Sequence, residues 1–228
     1  MLLKRIRNLY GQDQRKIEAT YWQATDTQSE KVAIVLPGYL YPPDAPATFY
    51  LKLLFMKYKW DYMTIDYRYN ENEAFLNSAD DEKMAYFKKD QEKLAEYIIE
   101  NYKHKTVCLI GKSIGTTAIH SILESSNLLS EMEAISFILL TPTEVQGEIV
   151  KTVSAENKNL LFIIGDKDQY YSEDVLLDVQ KKSTMKTKVI DNAGHLFEDQ
   201  SDDITQSIEN IKEITAFVEE QIQDGFFG

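Results

Sequence analysis

Ser113 lies in the run Val107-Cys108-Leu109-Ile110-Gly111-Lys112-Ser113-Ile114-Gly115-Thr116-Thr117. Four apolar residues, Val107 to Ile110, suit a buried strand, and Thr116 to Leu128 continues at helical spacing. Between them, Gly111-Lys112-Ser113-Ile114-Gly115 fits Gly-x-Ser-x-Gly, a sharp strand-to-helix turn that lifts a serine hydroxyl out of the fold. The glycines leave room where side chains would clash, and the following helix aims its first N–H groups and positive dipole end at the same place. The chemistry such a serine suits is nucleophilic attack. A serine hydroxyl is too weakly acidic to attack unaided, so it needs a base in hydrogen-bond contact.

The chain has three histidines. His104 precedes the strand that carries Ser113 at its far end, so roughly 17–20 Å of extended chain separates the two. His120 is on the helix that follows Ser113, roughly 10 Å along its axis, and cannot fold back. His195 follows the last predicted strand on a Gly194 turn, and it alone can reach the serine. The base in turn needs an acid to hold its tautomer and stabilise the imidazolium. Asp166 and Asp168 both follow the strand ending at Ile164, and Asp168 lies further into the loop, with the reach to turn toward His195. Asp166 suits a turn cap, and Glu144 after the preceding strand is a third candidate.

The negative oxygen of a tetrahedral intermediate needs preorganised donors. The N–H of Ile114, one past the serine, is the first. The second is expected from Pro37-Gly38-Tyr39-Leu40, where Gly38 allows close backbone approach; Tyr39 N–H is preferred and Leu40 N–H is the alternative. Gly38, Leu40 and Tyr41 are then expected to line the substrate site. Tyr39, Tyr41, Tyr67, Tyr69 and Tyr170 fall near predicted strand ends, where they could line an aromatic pocket. A phosphate-binding loop is excluded: Gly-x-x-x-x-Gly-Lys-Ser/Thr would need glycine at 106, which is threonine here. No pair of histidines has metal-ligand spacing, and no metal or organic cofactor is expected.

The elements that must hold these residues alternate. Leu2 to Tyr10 and Lys16 to Gln23 suggest two edge strands around a Gly11-Gln14 turn. Val32–Leu36, Tyr62–Tyr67, Ile135–Leu140, Leu160–Ile164 and Lys186–Ile190 suit further strands, the continuous apolar runs implying burial on both faces. Helices are expected over Thr48–Tyr58, with Tyr50, Leu53 and Leu54 at helical spacing, and over Asp80–Tyr102, with Met84, Phe87, Leu94 and Ile98 on one stripe. Two more are expected from a Ser172 cap to about Lys181, and over Ile204–Gln221 with Ile204, Ile208, Ile211, Phe217 and Val218 as its apolar face. Asn70–Asp81 reads as loop, and Gln146–Asn159 is polar and indistinct. Strands alternating with helices from residue 32 onward imply an α/β fold: a mostly parallel central sheet with helices on both faces. Ligands in such sheets bind beyond the carboxyl ends of the strands, where every candidate above sits.

The bulk numbers agree. At 228 residues and 43% hydrophobic, one domain over 1–228 can bury a sizeable core, and no linker suggests a second. A net charge of −12 repels phosphate backbones and argues against nucleic acid as a partner. One cysteine, Cys108, allows no disulfide within the chain and suits a reducing compartment. The segment MLLKRIRNLYG has no apolar stretch of signal-peptide length, and no run approaches a membrane span. A cytoplasmic protein without a membrane partner is expected; oligomeric state has no signature here.

Together these residues resemble the α/β-hydrolase superfamily over about residues 16–222. Gly111-Lys112-Ser113-Ile114-Gly115 is similar to its nucleophile elbow, and Gly194-His195 to its Gly-His base. Gly165-Asp166-Lys167-Asp168 resembles its Gly-x-x-Asp acid loop, which favours Asp168 over Asp166. Pro37-Gly38-Tyr39 stands where many members have His-Gly-x, so Pro37 replaces that histidine. Thr141–Asn159, where the family inserts a cap, is too short for one. The resemblance implies an α/β-hydrolase fold without a cap domain, like small bacterial carboxylesterases and dienelactone-hydrolase-like enzymes. The latter often use cysteine where this chain has serine. The expected activity is hydrolysis of a small-molecule ester or thioester through an acyl-enzyme on Ser113. The competing expectation is a non-catalytic small-ligand-binding protein on the same fold.

Overall fold

In the computed structural model, which describes residues 2–6, 9–11, 17–38, 41–42 and 44–228, apolar runs and amphipathic helices alternate around one eight-stranded sheet. The chain opens with strands β1 (Leu2–Ile6), β2 (Glu18–Gln23) and β3 (Lys31–Leu36). Helix α1 (Pro46–Lys57) leads to β4 (Asp61–Asp66), and a 3-10 turn at Tyr69–Glu71 leads to α2 (Glu73–Asn77) and the long α3 (Asp80–Tyr102). Next come β5 (Thr106–Lys112), α4 (Ile114–Ser125), the short α5 (Leu128–Glu131) and β6 (Ala134–Leu140). The chain closes with α6 (Gln146–Ala155), β7 (Asn159–Gly165), α7 (Glu173–Gln180), β8 (Met185–Ile190) and α8 (Ile204–Gln223).

The strand order is β1-β2-β4-β3-β5-β6-β7-β8. β1 and β2 pair antiparallel, as do β2 and β4, and every neighbour from β4 to β8 is parallel. Successive side chains leave a strand on opposite faces, so an unbroken apolar run feeds two cores. Val32, Ile34, Leu36, Val107, Leu109, Phe137 and Phe162 pack on the face covered by α3, α4, α6 and α7. Ala33, Val35, Cys108, Ile110, Ile138, Leu161 and Ile163 pack on the face covered by α1 and α8. Each fully buried leucine, isoleucine or phenylalanine contributes roughly 1.5–3 kcal/mol, so both layers bind the sheet strongly. Burial also pushes the Cys108 thiol far up, which leaves it an inert core residue. Among the described residues no helix is long and apolar enough to cross a membrane.

Several elements differ from the sequence reading. β2 is not an edge: it lies between β1 and β4, with Ala19, Tyr21 and Trp22 buried. Its Tyr21 hydroxyl donates to the buried Asp61 carboxylate, which also accepts from Ala24 N and Ser29 N, so a polar cluster fastens it to β4. The expected turn after Gly11 falls on residues outside those described. Within Asn70–Asp81, Asn72 accepts from Phe75 N at 3.2 Å and starts the short α2. α6 forms because Ile149, Val150 and Val153 make a buried stripe inside the polar stretch. Met84 of α3 is exposed, as are Tyr50 and Leu53 of α1, whose buried stripe is Ala47, Leu51, Leu54 and Phe55. On α8, Ile204 and Ile208 are 77% and 64% exposed. The expected Val218 is buried and Ile211 and Phe217 are partly buried against the same core, so the packed side, centred on Asn210, Ile214, Val218 and Gln221, lies roughly a quarter turn from Ile204 and Ile208 at 100° per residue.

Candidate active site

Ser113 occupies the turn between β5 and α4 with φ 54° and ψ −122°. A positive φ is uncommon outside glycine and stores backbone strain, which the surrounding contacts must hold. Ser113 N donates to Leu140 O at 3.0 Å, and Thr116 N donates back to Ser113 O at 2.8 Å. Gly115 is required by space: a Cβ there would stand 1.9 Å from the Leu36 carbonyl oxygen. The absence of that Cβ lets α4 start directly against the end of β3. The Ile114 N–H therefore lies in the first turn of α4, where amides have no partner within the helix.

Asp168 follows β7 in a tight turn, in which its N–H reaches Gly165 O at 3.2 Å and Tyr171 N reaches its carbonyl at 3.0 Å. Its side chain is fully buried. One carboxylate oxygen accepts from Tyr170 N at 3.0 Å, and the other lies 2.8 Å from His195 Nδ1. Gly165 permits this convergence, because a Cβ there would lie 2.0 Å from the Ala193 carbonyl oxygen of the loop that carries His195. His195 Nε2 is 2.7 Å from Ser113 Oγ. Its ring is 26% exposed and meets the Tyr170 ring edge-on at 5.8 Å. Three side chains from three strand ends therefore form one continuous hydrogen-bonded line.

The competing candidates are engaged elsewhere. Asp166 pairs with Lys167 at 2.9 Å, and Glu144 is exposed. His104 is exposed and 2.7 Å from Glu133, while His120 faces Glu124 at 3.7 Å. Gly38 abuts the serine, since a Cβ there would be 3.3 Å from Ser113 Cβ. Tyr39 and Leu40, the expected second oxyanion donor and its alternative, lie outside the described residues. Among the described residues, no group of three or more His, Cys, Asp or Glu side chains could hold a metal ion.

Next to Ser113, at its neighbours Gly38 and Ile114, a cavity of about 350 Å³ opens, and His195 is not among its lining residues. Its wall combines Gly38 and Tyr41 with Ile114, Gly115 and Ala118 of α4, and with Tyr67, Tyr69 and Phe87. Tyr67 and Tyr69 stack with centroids 5.2 Å apart, and Phe75 stacks on Tyr69 at 4.5 Å. Tyr67 is fixed by donation to Gln91 at 2.6 Å and Tyr69 by donation to Asp90 at 2.9 Å. The rim is charged: Arg68 reaches Glu18 at 2.9 Å and both Asp66 and Glu71 at 3.5 Å. Tyr41, Tyr67 and Tyr69 thus line a pocket as expected, and Tyr170 sits against His195 instead. Phe87 and Ala118 had no local signal, because tertiary packing alone brings them to the cavity, and Arg68 reaches it as the residue between Tyr67 and Tyr69.

This sheet order, elbow and set of strand ends make up the α/β-hydrolase fold, and the chain has that fold. Solved structures agree over nearly the full length. A protein of unknown function from Agrobacterium tumefaciens, a candidate alpha/beta hydrolase, is 17% identical with a TM-score of 0.67, covering 97% of each chain. The Pyrococcus furiosus esterase Pf2001 is 16% identical with a TM-score of 0.67, covering 100% of this chain and 93% of its own. The esterase domain of a Rhodothermus marinus protein is 13% identical with a TM-score of 0.63, covering 96% of this chain and 99% of its own. No protein-family profile and no curated protein sequence matches the chain.

Proposed function

We propose that this protein is a serine hydrolase that cleaves a small carboxylic ester or thioester. The observation that carries the reading is the line from Asp168 through His195 to Ser113, at 2.8 and 2.7 Å. His195 Nε2 takes the Ser113 proton as Oγ attacks the carbonyl carbon, and Asp168 stabilises the imidazolium through Nδ1–H. The carbonyl electrons move onto oxygen, which the Ile114 N–H and the positive end of α4 stabilise. Tyr39 N–H, with Leu40 N–H as the alternative, is the proposed second donor. Collapse of the tetrahedral adduct expels the alcohol or thiol, which takes the proton from His195. Water, deprotonated by the same imidazole, then hydrolyses the acyl-enzyme.

His195 protonates the leaving group, so that group sits on the imidazole side. The acyl chain then points the other way, into the cavity bounded by Ile114, Ala118 and Tyr69. A cavity of about 350 Å³ with an aromatic floor suits an acyl group of modest size. The test is hydrolysis of p-nitrophenyl esters of increasing acyl length, with Ser113→Ala as the blank. Turnover that peaks at short to medium chains and vanishes in the blank is expected. No turnover by folded protein on any ester or thioester, alongside tight binding of a small ligand, would instead favour a binding protein.

A further inference from the structure

Lys112 immediately precedes the serine and is fully buried at the end of β5. Burying an amine is costly, and a long apolar residue would fill the same space without that penalty. Its Nζ donates to Thr141 Oγ1 at the end of β6 and to the main-chain carbonyl of His195, the latter at 2.8 Å. Neither partner is a carboxylate. The ammonium also faces the Tyr41 ring at 5.1 Å and the Phe197 ring at 5.8 Å. Thus Tyr41 from the chain after β3, Thr141 after the end of β6, and the loop that carries His195 meet on one nitrogen.

Backbone strain gathers around the same atom. Ser113, Thr141 and Phe197 all have positive φ, at 54°, 41° and 65°. For a β-branched residue such as Thr141 that conformation is a genuine outlier, and it sits where its hydroxyl meets Nζ. His195 itself belongs to a loop between β8 and α8 that is held by its own short turns, such as Gly194 N to Glu198 O at 2.9 Å. On either side of the histidine it is also held by Lys167 N donating to Ala193 O and Asn210 Nδ2 donating to Phe197 O, both at 3.0 Å, whereas the His195 carbonyl itself is met by Lys112. The bond from Lys112 ties the backbone of the base directly to the strand that carries the nucleophile. Burial lowers the amine to about 8, while Asp168 and Glu198 pull the other way. Either protonation state keeps two N–H donors for the two acceptors.

We propose that Lys112 is a positioning residue: its Nζ, steadied by Thr141, holds the His195 main chain so that the imidazole meets Ser113 Oγ in line. This rests on the hydrolase reading above. A group kept for positioning rather than stability has an unusual signature. Removing it impairs chemistry while the fold stays as stable or gains stability.

The test is Lys112→Met, which keeps the length and volume and removes the donor. With a short aryl ester, kcat should fall at least tenfold with KM within about twofold, and the thermal midpoint at pH 7 should not drop. The downfield Nδ1–H proton resonance of His195 should shift or broaden, since it reads the bond to Asp168 whether or not the protein turns over esters. A kcat within twofold of wild type with an unchanged resonance overturns the proposal, as does a fall in kcat matched by a lower thermal midpoint. If Lys112→Met does not fold, Thr141→Val takes its place, having the same shape without the hydroxyl that steadies Nζ. A threefold or larger fall in kcat at constant KM supports the tether, and an unchanged kcat overturns it. Wild-type protein without esterase activity would sink the hydrolase reading, and the resonance of the variant would still decide the tether.

Discussion

The two halves of the candidate site are built by different means. On the β7–β8 side, tight turns and short hydrogen bonds fix Asp168 and His195: Asp168 is tied within its own turn, and His195 is gripped by Lys112. On the β4 side, the cavity wall holds stacked rings, Tyr67 on Tyr69 with Phe75 behind, and charged residues at its lip. The first half is specified by backbone geometry and tolerates little change. The second half is specified by packing and offers room for alteration. In the proposed mechanism the first performs the chemistry and the second selects the acyl group, so changes in each should have separable signatures.

The largest effect is expected from Asp168→Asn. It leaves the shape of the buried turn intact but removes the charge that holds the imidazole tautomer, so kcat should fall about 10³–10⁴-fold for every ester, whatever its acyl length. Measured kcat across the chain-length series checks this; a loss confined to long chains would break the division between halves.

Next is the pH dependence of stability, which isolates the buried amine. Lys112 titrates at about 8 in the folded protein against 10.5 when unperturbed. Between those values the unfolded chain binds the extra proton, so the free energy of unfolding rises with pH across that window. The rise is on the order of 3 kcal/mol at 1.4 kcal/mol per unit. Buried tyrosines such as Tyr62 have raised values and act in the opposite sense above about pH 10, where the folded state keeps protons the unfolded chain loses. Denaturant titrations of wild type and Lys112→Met from pH 7 to 10 therefore need to be subtracted. The difference should grow toward higher pH, and a flat difference would show that the amine is not held down in the fold.

The smallest effect is expected on the cavity side. Ala118→Val adds two methyl groups to the wall and should lower kcat/KM for medium-length acyl groups about tenfold, leaving acetyl esters within about twofold. Equal losses for all chain lengths would place the acyl group elsewhere.

The same contrast explains what could be read in the amino-acid order. The line of Ser113, Asp168 and His195 was legible because each follows a strand end, apolar for the first two and mixed in β8 for the third, and each turn is marked by glycine. The parallel sheet was legible because runs such as Val32–Leu36 and Leu160–Ile164 need two covered faces. Helix faces were less so: Ile204 and Ile208 repeat at i, i+4 on α8, but the sheet takes the side bearing Ile214 and Val218. α6 hid its stripe of Ile149, Val150 and Val153 among polar neighbours. The helical part of the cavity wall had no local mark, since Phe87 and Ala118 come from helices that meet only after the chain folds, whereas Tyr41, Tyr67 and Tyr69 stood near strand ends. Lys112 did carry a sign, a charge at the end of an apolar strand, but its partners at Thr141 and His195 are distant in sequence.

The most direct test of the shared geometry is labelling by a fluorophosphonate probe, followed by mass spectrometry of the digested protein. The expected result is one adduct, on the peptide carrying Ser113, absent in Ser113→Ala and much slower to form in His195→Ala. Folded protein that takes up no probe, or takes it up equally well without His195, would contradict it.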